Sequence, residues 1–248
     1  MQYIYPEWTA PSNVVSVTTT RLGGVSSGVY DSFNLGKHVG DQSFDVERNR
    51  ASLLSCFNLQ KSPLWLNQVH GNEVLSVTQD LLEQENSVQY TADGAITEDP
   101  GQACVVMTAD CLPVLLTDIN GDQVCAVHAG WRGMASNIIE EAVKKFRTSP
   151  ENLLAWCGPC IGVEHFEVGL EVKQQLGGPD EAYGLHAEKN KIYADLKLLA
   201  AARLEAVGVR NCFLSTHCTY ADSNLFYSYR RDGQTGRMAS LIVKSSGA

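Results

Sequence analysis

Three apolar runs crowded into one short stretch constrain this fold more than any other feature. Ala103–Thr108, Leu112–Asp118 and Val124–His128 follow one another with only a few residues between them. Parallel strands need a crossover of a dozen or more residues, so gaps this short favour hairpin neighbours. The runs are apolar throughout rather than alternating, which suits strands covered on both faces. A chain built around them needs layers on either side.

Other segments supply those layers. Val14–Thr20, Leu64–Val69, Val74–Thr78, Leu153–Cys157, Cys212–Ser215, Leu225–Tyr229 and Met238–Val243 also read as strands. Met134, Ile138, Ile139, Ala142, Val143 and Phe146 recur at helical spacing, with Glu140, Glu141, Lys144 and Lys145 opposite. Leu196, Leu199, Ala200, Leu204 and Val207 form a second stripe, ended by Gly208, and a third helix covers Val46 to Phe57. Strands outnumber helices, so the expectation is an α+β fold of mixed β-sheet layers flanked by helices. No repeat or linker divides the chain, and one domain over residues 1–248 is expected. Gln79 to Thr91 and Gly177 to Asn190 read as polar excursions, the second a mobile loop.

With 248 residues a domain can bury a sizeable core without a disulfide or structural metal. The net charge of −9 argues against nucleic acid and anionic membranes, both of which call for a surplus of Lys and Arg. A small anionic substrate needs only a few local arginines. The start, Met1 to Trp8, has neither a basic stretch nor an apolar core, and no apolar run reaches bilayer length. The expectation is a cytoplasmic protein whose eight cysteines stay reduced. Nothing in the residues bears on oligomeric state.

Reactive residues gather where apolar runs end, in Asn67-Gln68-Val69-His70-Gly71, Thr108-Ala109-Asp110-Cys111-Leu112-Pro113, His128-Ala129-Gly130-Trp131-Arg132-Gly133 and Cys157-Gly158-Pro159-Cys160-Ile161-Gly162. Loops at strand ends commonly present functional groups. His70, Cys111 and His128 would offer two imidazoles and a thiolate to a zinc ion, leaving a fourth position open for chemistry. From spacing alone the plainer reading is favoured: a core histidine, a buried inert cysteine and an unrelated loop histidine. Arg132, beside two glycines at an expected helix start, is either a clamp for phosphate or carboxylate or a solvated surface charge. Trp156-Cys157-Gly158-Pro159-Cys160 matches a thioredoxin-type active-site sequence, but Gly162 follows at once and no clear helix begins there to activate Cys157. Cys157 is therefore expected to be dispensable. Six histidines without a His-x-His pair do not supply a multi-copper oxidase.

Together these segments resemble the YfiH/YlmD-type laccase-domain family, also named for purine nucleoside phosphorylase and peptidoglycan editing. The likeness also takes in Thr20 to Ser26, Phe33-Asn34-Leu35-Gly36, Asn49-Arg50, Phe226 to Asp232 and Thr235-Gly236-Arg237. The resemblance implies an α/β/β/α-type sandwich and a zinc ion held by His70, Cys111 and His128. It implies phosphorolysis of adenosine, inosine, guanosine and methylthioadenosine, with some adenosine deamination. The alternative it implies is an amide hydrolase that edits a peptidoglycan precursor at the same Cys/His/zinc site. Asn34, Arg50, Arg132 and Arg231 fall in family-like motifs and would contact substrate or phosphate; loop hydrogen bonding, surface solvation and salt bridging are their plain alternatives. Asp93, before Gly94, either supports a ligand from behind or only makes a turn.

Overall fold

The computed structural model describes residues 1–59, 61–79, 81, 90–186 and 191–245; of the three crowded runs only Leu112–Asp118 and Val124–Ala129 pair as hairpin neighbours, while Ala103–Thr108 joins a different sheet. β1 (Tyr3–Ile4), β2 (Val14–Thr19), β13 (Met238–Lys244) and β5 (Ala103–Thr108) form one sheet in the order β1-β2-β13-β5, antiparallel throughout. The second sheet has the order β12-β8-β6-β7-β4-β3, from Asn211–Leu214, Leu153–Cys157, Leu112–Asp118, Val124–Ala129, Gly94–Thr97 and Val74–Ser76. Its inner pairs are antiparallel, and its outermost pairs, β12 with β8 and β3 with β4, are parallel. A third, small antiparallel sheet joins β9 (Glu167–Val168), β10 (Tyr183–His186) and β11 (Lys191–Ala194).

Side-chain alternation then builds the layers. Leu112, Val114 and Leu116 leave one face of β6 and meet Met134, Ile139 and Ala142 under the helices. Leu115 leaves the opposite face and meets Cys104, Val106, Ala126 and Ile242 between the two large sheets. On the far side of the first sheet, Val105, Ala239 and Leu241 pack with Phe33, Leu35 and Leu53. Leu53 belongs to α1 (Ser43–Cys56). The order of layers is α1, four-stranded sheet, six-stranded sheet, then the helices α2 (Trp131–Ala135), α3 (Ile138–Lys144), α4 (Leu170–Leu176) and α5 (Leu196–Ala206). This is the expected sandwich, and it explains why central strands carry no polar face.

Local readings differ from the structure in informative places. Leu64–Val69 is not a strand; Asn67 makes only an isolated bridge to Thr91. Leu225–Tyr229 is irregular and leads into α6 (Tyr229–Asp232). The helix expected from Met134 to Phe146 starts earlier, at Trp131, and breaks before Ile138, where Asn137 adopts φ 67°. Part of the expected Gly177–Asn190 loop is the strand β10; residues 187–190, and most of Gln79–Thr91, lie outside the described residues.

Candidate metal centre and substrate cleft

Cys111 lies in the tight turn by which β5 of one sheet passes into β6 of the other. Asp110, just before it, takes φ 93°, which a non-glycine residue adopts only when held there. Its carboxylate is held, accepting from Thr219 Oγ1 at 2.7 Å and from the Arg230 N–H at 2.7 Å. His128 is the penultimate residue of β7 and is 3% exposed. His70 is exposed, on a loop turned by its own φ of 61°.

One buried carboxylate joins the two histidines. Asp93 is fully buried and accepts the N–H groups of Val69 at 3.1 Å, His70 at 2.9 Å and Gly71 at 2.7 Å. Its Oδ1 also lies 2.8 Å from His128 Nδ1. With Nδ1 turned to Asp93, Nε2 is the atom of His128 that a cation would take, in place of the proton it carries when the imidazole is charged. Burial opposes ionisation of Asp93, but the His128 hydrogen bond and those backbone donors outweigh it and hold its pKa below the ordinary value.

The three donor atoms lie within 4.8 Å of one another, with Cys111 Sγ 3.8 Å from His70 Nε2. A tetrahedral zinc centre separates a sulfur and a nitrogen ligand by about 3.6 Å, so the spacing fits. Gly130 keeps this space open: a Cβ there would come 3.0 Å from His70 Cδ2 and 3.1 Å from Cys111 Sγ. Burial disfavours the Cys111 thiolate, yet the His128 charge and hydrogen bonds from His128 and His70 bring the thiol down to about 6. Burial would likewise lower His128, but the Cys111 sulfur and Asp93 raise it to about 9. The sulfur is therefore ionised at neutral pH, as a soft cation requires.

A cleft of about 440 Å³ opens on this group, lined also by His38, Gln68, Thr108, Arg132, Tyr229 and Arg237. Arg132 stands exposed at its mouth, its guanidinium 4.3 Å from the Trp131 ring centre. The five-residue α2 is too short for its amide dipoles to matter much, so any anion clamp here rests on the guanidinium.

The other sequence candidates are placed differently. Arg231 spends its N–H groups on the carbonyls of Thr219, Tyr220 and Phe226 and on Asp232. Asn34 is fully buried: its amide donates to Gly36 O and Asp41, and its oxygen accepts from the N–H groups of Gly36 and Arg237. Arg50 donates to Leu35 O and stacks 3.8 Å from the Trp65 ring centre. It lines a smaller adjoining compartment of about 180 Å³, which shares His38, Gln68 and Met107 with the main cleft.

Sequence reasoning passed over Arg237. Its Nη1 is anchored to Thr235 O and Gly236 O, while Nε and Nη2 have no hydrogen-bond partner among the described residues. Asn34 holds its backbone, and Gly36 makes room for its stem, since a Cβ there would lie 2.8 Å from Arg237 Cγ. The signal was present in Thr235-Gly236-Arg237, but an arginine reaching the site from a distant strand has no local pattern. Thr108, 2% exposed, adds a hydroxyl without a hydrogen-bond partner to the cleft wall. Gln68 is structural, its amide clasping the Met107 backbone through two 2.8 Å bonds.

Fold and site define a class: a sandwich of two large sheets with a three-donor group that could hold a metal ion and a basic cleft at one sheet end. Residues 15–245 match the family described as multi-copper polyphenol oxidoreductase laccase, and the chain belongs to that family. Among the described residues only the His70, Cys111 and His128 group could hold a metal ion, fewer donors than several coppers need. The chain is 46% identical over 243 residues to purine nucleoside phosphorylase YfiH of Escherichia coli, covering 96% of this chain and 97% of that one. It is 44% identical to a Haemophilus influenzae purine nucleoside phosphorylase, over 98% and 99% of the two chains. Among solved structures it resembles a Neisseria meningitidis protein with TM-score 0.91 and 39% identity, covering 99% of this chain and all of that one. YlmD of Geobacillus stearothermophilus gives TM-score 0.88 at 30% identity, with 95% and 93% covered.

Proposed function

We propose that this chain is a zinc-dependent purine nucleoside phosphorylase acting on adenosine, inosine, guanosine and methylthioadenosine, with adenosine deamination at the same centre. The observation that carries this reading is the convergence of the two-His, one-Cys donor group with Arg132, Arg237 and Tyr229 in one cleft. The names of full-length relatives support it. His70, Cys111 and His128 would hold the zinc, since imidazole and thiolate ligands suit that ion and three of them leave a position open. When bound, the ion supplies Lewis-acid polarisation and a route to activated water.

The protein's own groups account for the rest. Phosphorolysis replaces the C1′–N9 bond of the nucleoside with a C1′–O bond to phosphate. The free Nε and Nη2 edge of Arg237 is a two-pronged donor suited to phosphate, and Arg132 adds a second charge from the mouth. Tyr229, 62% exposed on the rim, offers a ring face to the purine. Burial, with Arg237 and Arg50 nearby, lowers the pKa of His38, so a neutral imidazole faces the departing base. Deamination instead places water on the purine C6 and releases ammonia. The substrate is a small molecule, and the acidic balance of the chain leaves nucleic acid outside this reading. No helix among the described residues is long and apolar enough to cross a membrane, and we place the enzyme in the cytoplasm.

The test is chromatography of adenosine incubated with zinc-replete protein, with and without phosphate. Adenine and ribose 1-phosphate formed only with phosphate are the expected products, and inosine in either case marks deamination. His128→Ala abolishes both. Arg237→Ala raises the KM for phosphate at least tenfold with zinc retained. Neither product from zinc-replete wild type overturns the reading.

A further inference from the structure

The Trp156-Cys157-Gly158-Pro159-Cys160 segment plays no part in the cleft. It does not form a dithiol in the manner its sequence suggests, because Cys160 turns its thiol to its own neighbour, Ile161 O, at 3.5 Å. Cys157 meets a different cysteine: its Sγ lies 3.9 Å from Cys212 Sγ. Strand register explains the meeting. β12 runs parallel to β8, with Cys212 beside Ala155 and Leu214 beside Cys157. Residues two apart share a face, so Cys157 and Cys212 approach diagonally on the helix-covered side of the sheet.

The two thiols differ in access. Cys157 is fully buried in the helix-side core. Cys212, half-buried on the outermost strand, lines a surface cavity of about 340 Å³ with Ala201, Glu205, Val209 and Arg210. That cavity shares no lining residue with the metal cleft. One thiol is thus open to a small solute, and a second stands behind it with its sulfur 3.9 Å away. Diagonal neighbours on paired strands start about 7–8 Å apart at Cα and a disulfide spans about 7 Å at most, so closing the bond also draws the outermost strand toward its neighbour.

We propose that Cys157 and Cys212 form a reversible disulfide, with Cys212 the thiol first attacked by a small peroxide and Cys157 the one that resolves it. The Cys212 sulfur attacks one peroxide oxygen, the O–O bond breaks, and Cys212 becomes a sulfenic acid as the first water leaves. The Cys157 sulfur then attacks the Cys212 sulfur; the S–S bond forms, the S–O bond breaks, and a second water departs. The two thiols lose two electrons and two protons, and hydrogen peroxide becomes two waters. A hydrogen bond from Cys157 lowers the pKa of Cys212, while the same contact and burial raise that of Cys157. That asymmetry favours the stated order of attack.

Closing the bond brings the sulfurs from 3.9 Å to about 2.05 Å and ties the outermost strand β12 to its neighbour. The link would be independent of the metal-centre chemistry, so its failure would not count against the proposed function.

The experiment treats the zinc-loaded full chain with hydrogen peroxide, blocks free thiols with N-ethylmaleimide, and maps unreduced tryptic peptides by mass. The expected result is a loss of about 2 Da, reversed by dithiothreitol, with the Cys157 peptide linked to the Cys212 peptide. Those peptides also carry Cys160 and Cys218, which face each other across an isolated bridge. The link must therefore survive in the Cys160→Ser/Cys218→Ser double variant and vanish in Cys212→Ser. In Cys157→Ala, oxidation stops at a Cys212 sulfenic acid that dimedone traps. A link that persists in Cys212→Ser or is lost in the double variant overturns the proposal. So does oxidation confined to the exposed Cys56.

Discussion

Asp93 organises more of the candidate centre than any of its three donor residues. Its carboxylate fixes the turn that presents His70 and the tautomer that presents His128. Asp93→Asn keeps the shape but replaces one acceptor oxygen by a donor, which faces N–H groups. Zinc affinity is expected to fall 10- to 100-fold or roughly so, read by competition with a chromophoric chelator. Cys111→Ser replaces a thiolate by a neutral hydroxyl, and elemental analysis should find it without stoichiometric zinc; full occupancy would remove Cys111 from the ligand set. The candidate group of His70, Cys111 and His128 came forward through the family-like motifs around it, since residue types and spacing on their own favour inert core and loop residues. Asp93 was half legible: Asp before Gly is a common turn pair, and only the fold reveals that its oxygens point at two distant histidines. Asn34 and Arg231 stand in the right motifs for a different reason. They hold Arg237 and the 219–226 loop, and a sequence does not distinguish a residue that touches substrate from one that positions its neighbour.

At the level of elements, β6 and β8 were legible to the residue because apolar runs buried on both faces end sharply at polar or turn residues. β4, only Gly94-Ala95-Ile96-Thr97, was not, since small residues in a four-residue strand leave no pattern. Leu64–Val69 failed the other way: it is β-prone, yet its Gln68 and Asn67 side chains bond elsewhere and it pairs with no full strand. The loop preceding α6 relies on Arg231 in place of a ladder. Arg231→Ala leaves the carbonyls of Thr219, Tyr220 and Phe226 without that donor. A stability loss of about 2 kcal/mol or more follows from orphaned polar groups, measured by urea unfolding of the zinc-loaded protein. An unchanged midpoint would show that this loop bears no load. Gly130→Ala is a complementary case: an added methyl crowds His70 and Cys111, so zinc affinity should drop while α2, which it precedes, stays helical by circular dichroism.

For the whole molecule, β5, β6 and β7 feed every layer, and we propose that residues 1–248 unfold as one unit. Scanning calorimetry should show one transition, whose midpoint rises with free zinc because the ion binds the folded chain. The ligand positions add a mechanical consequence. Cys111 sits where the chain leaves one large sheet for the other, His128 lies near the end of β7, and Asp93 immediately precedes β4, the neighbouring strand of the second. A cation there would be a rivet holding the His70 loop and the β5–β6 turn against β7. Chelation should therefore quicken amide hydrogen exchange at Thr108–Leu112 and Val127–Gly130 while leaving the distal turn at Asn120 and Gly121 unchanged. The rigidity of the cleft, and not its chemistry alone, would then depend on whether the rivet is in place.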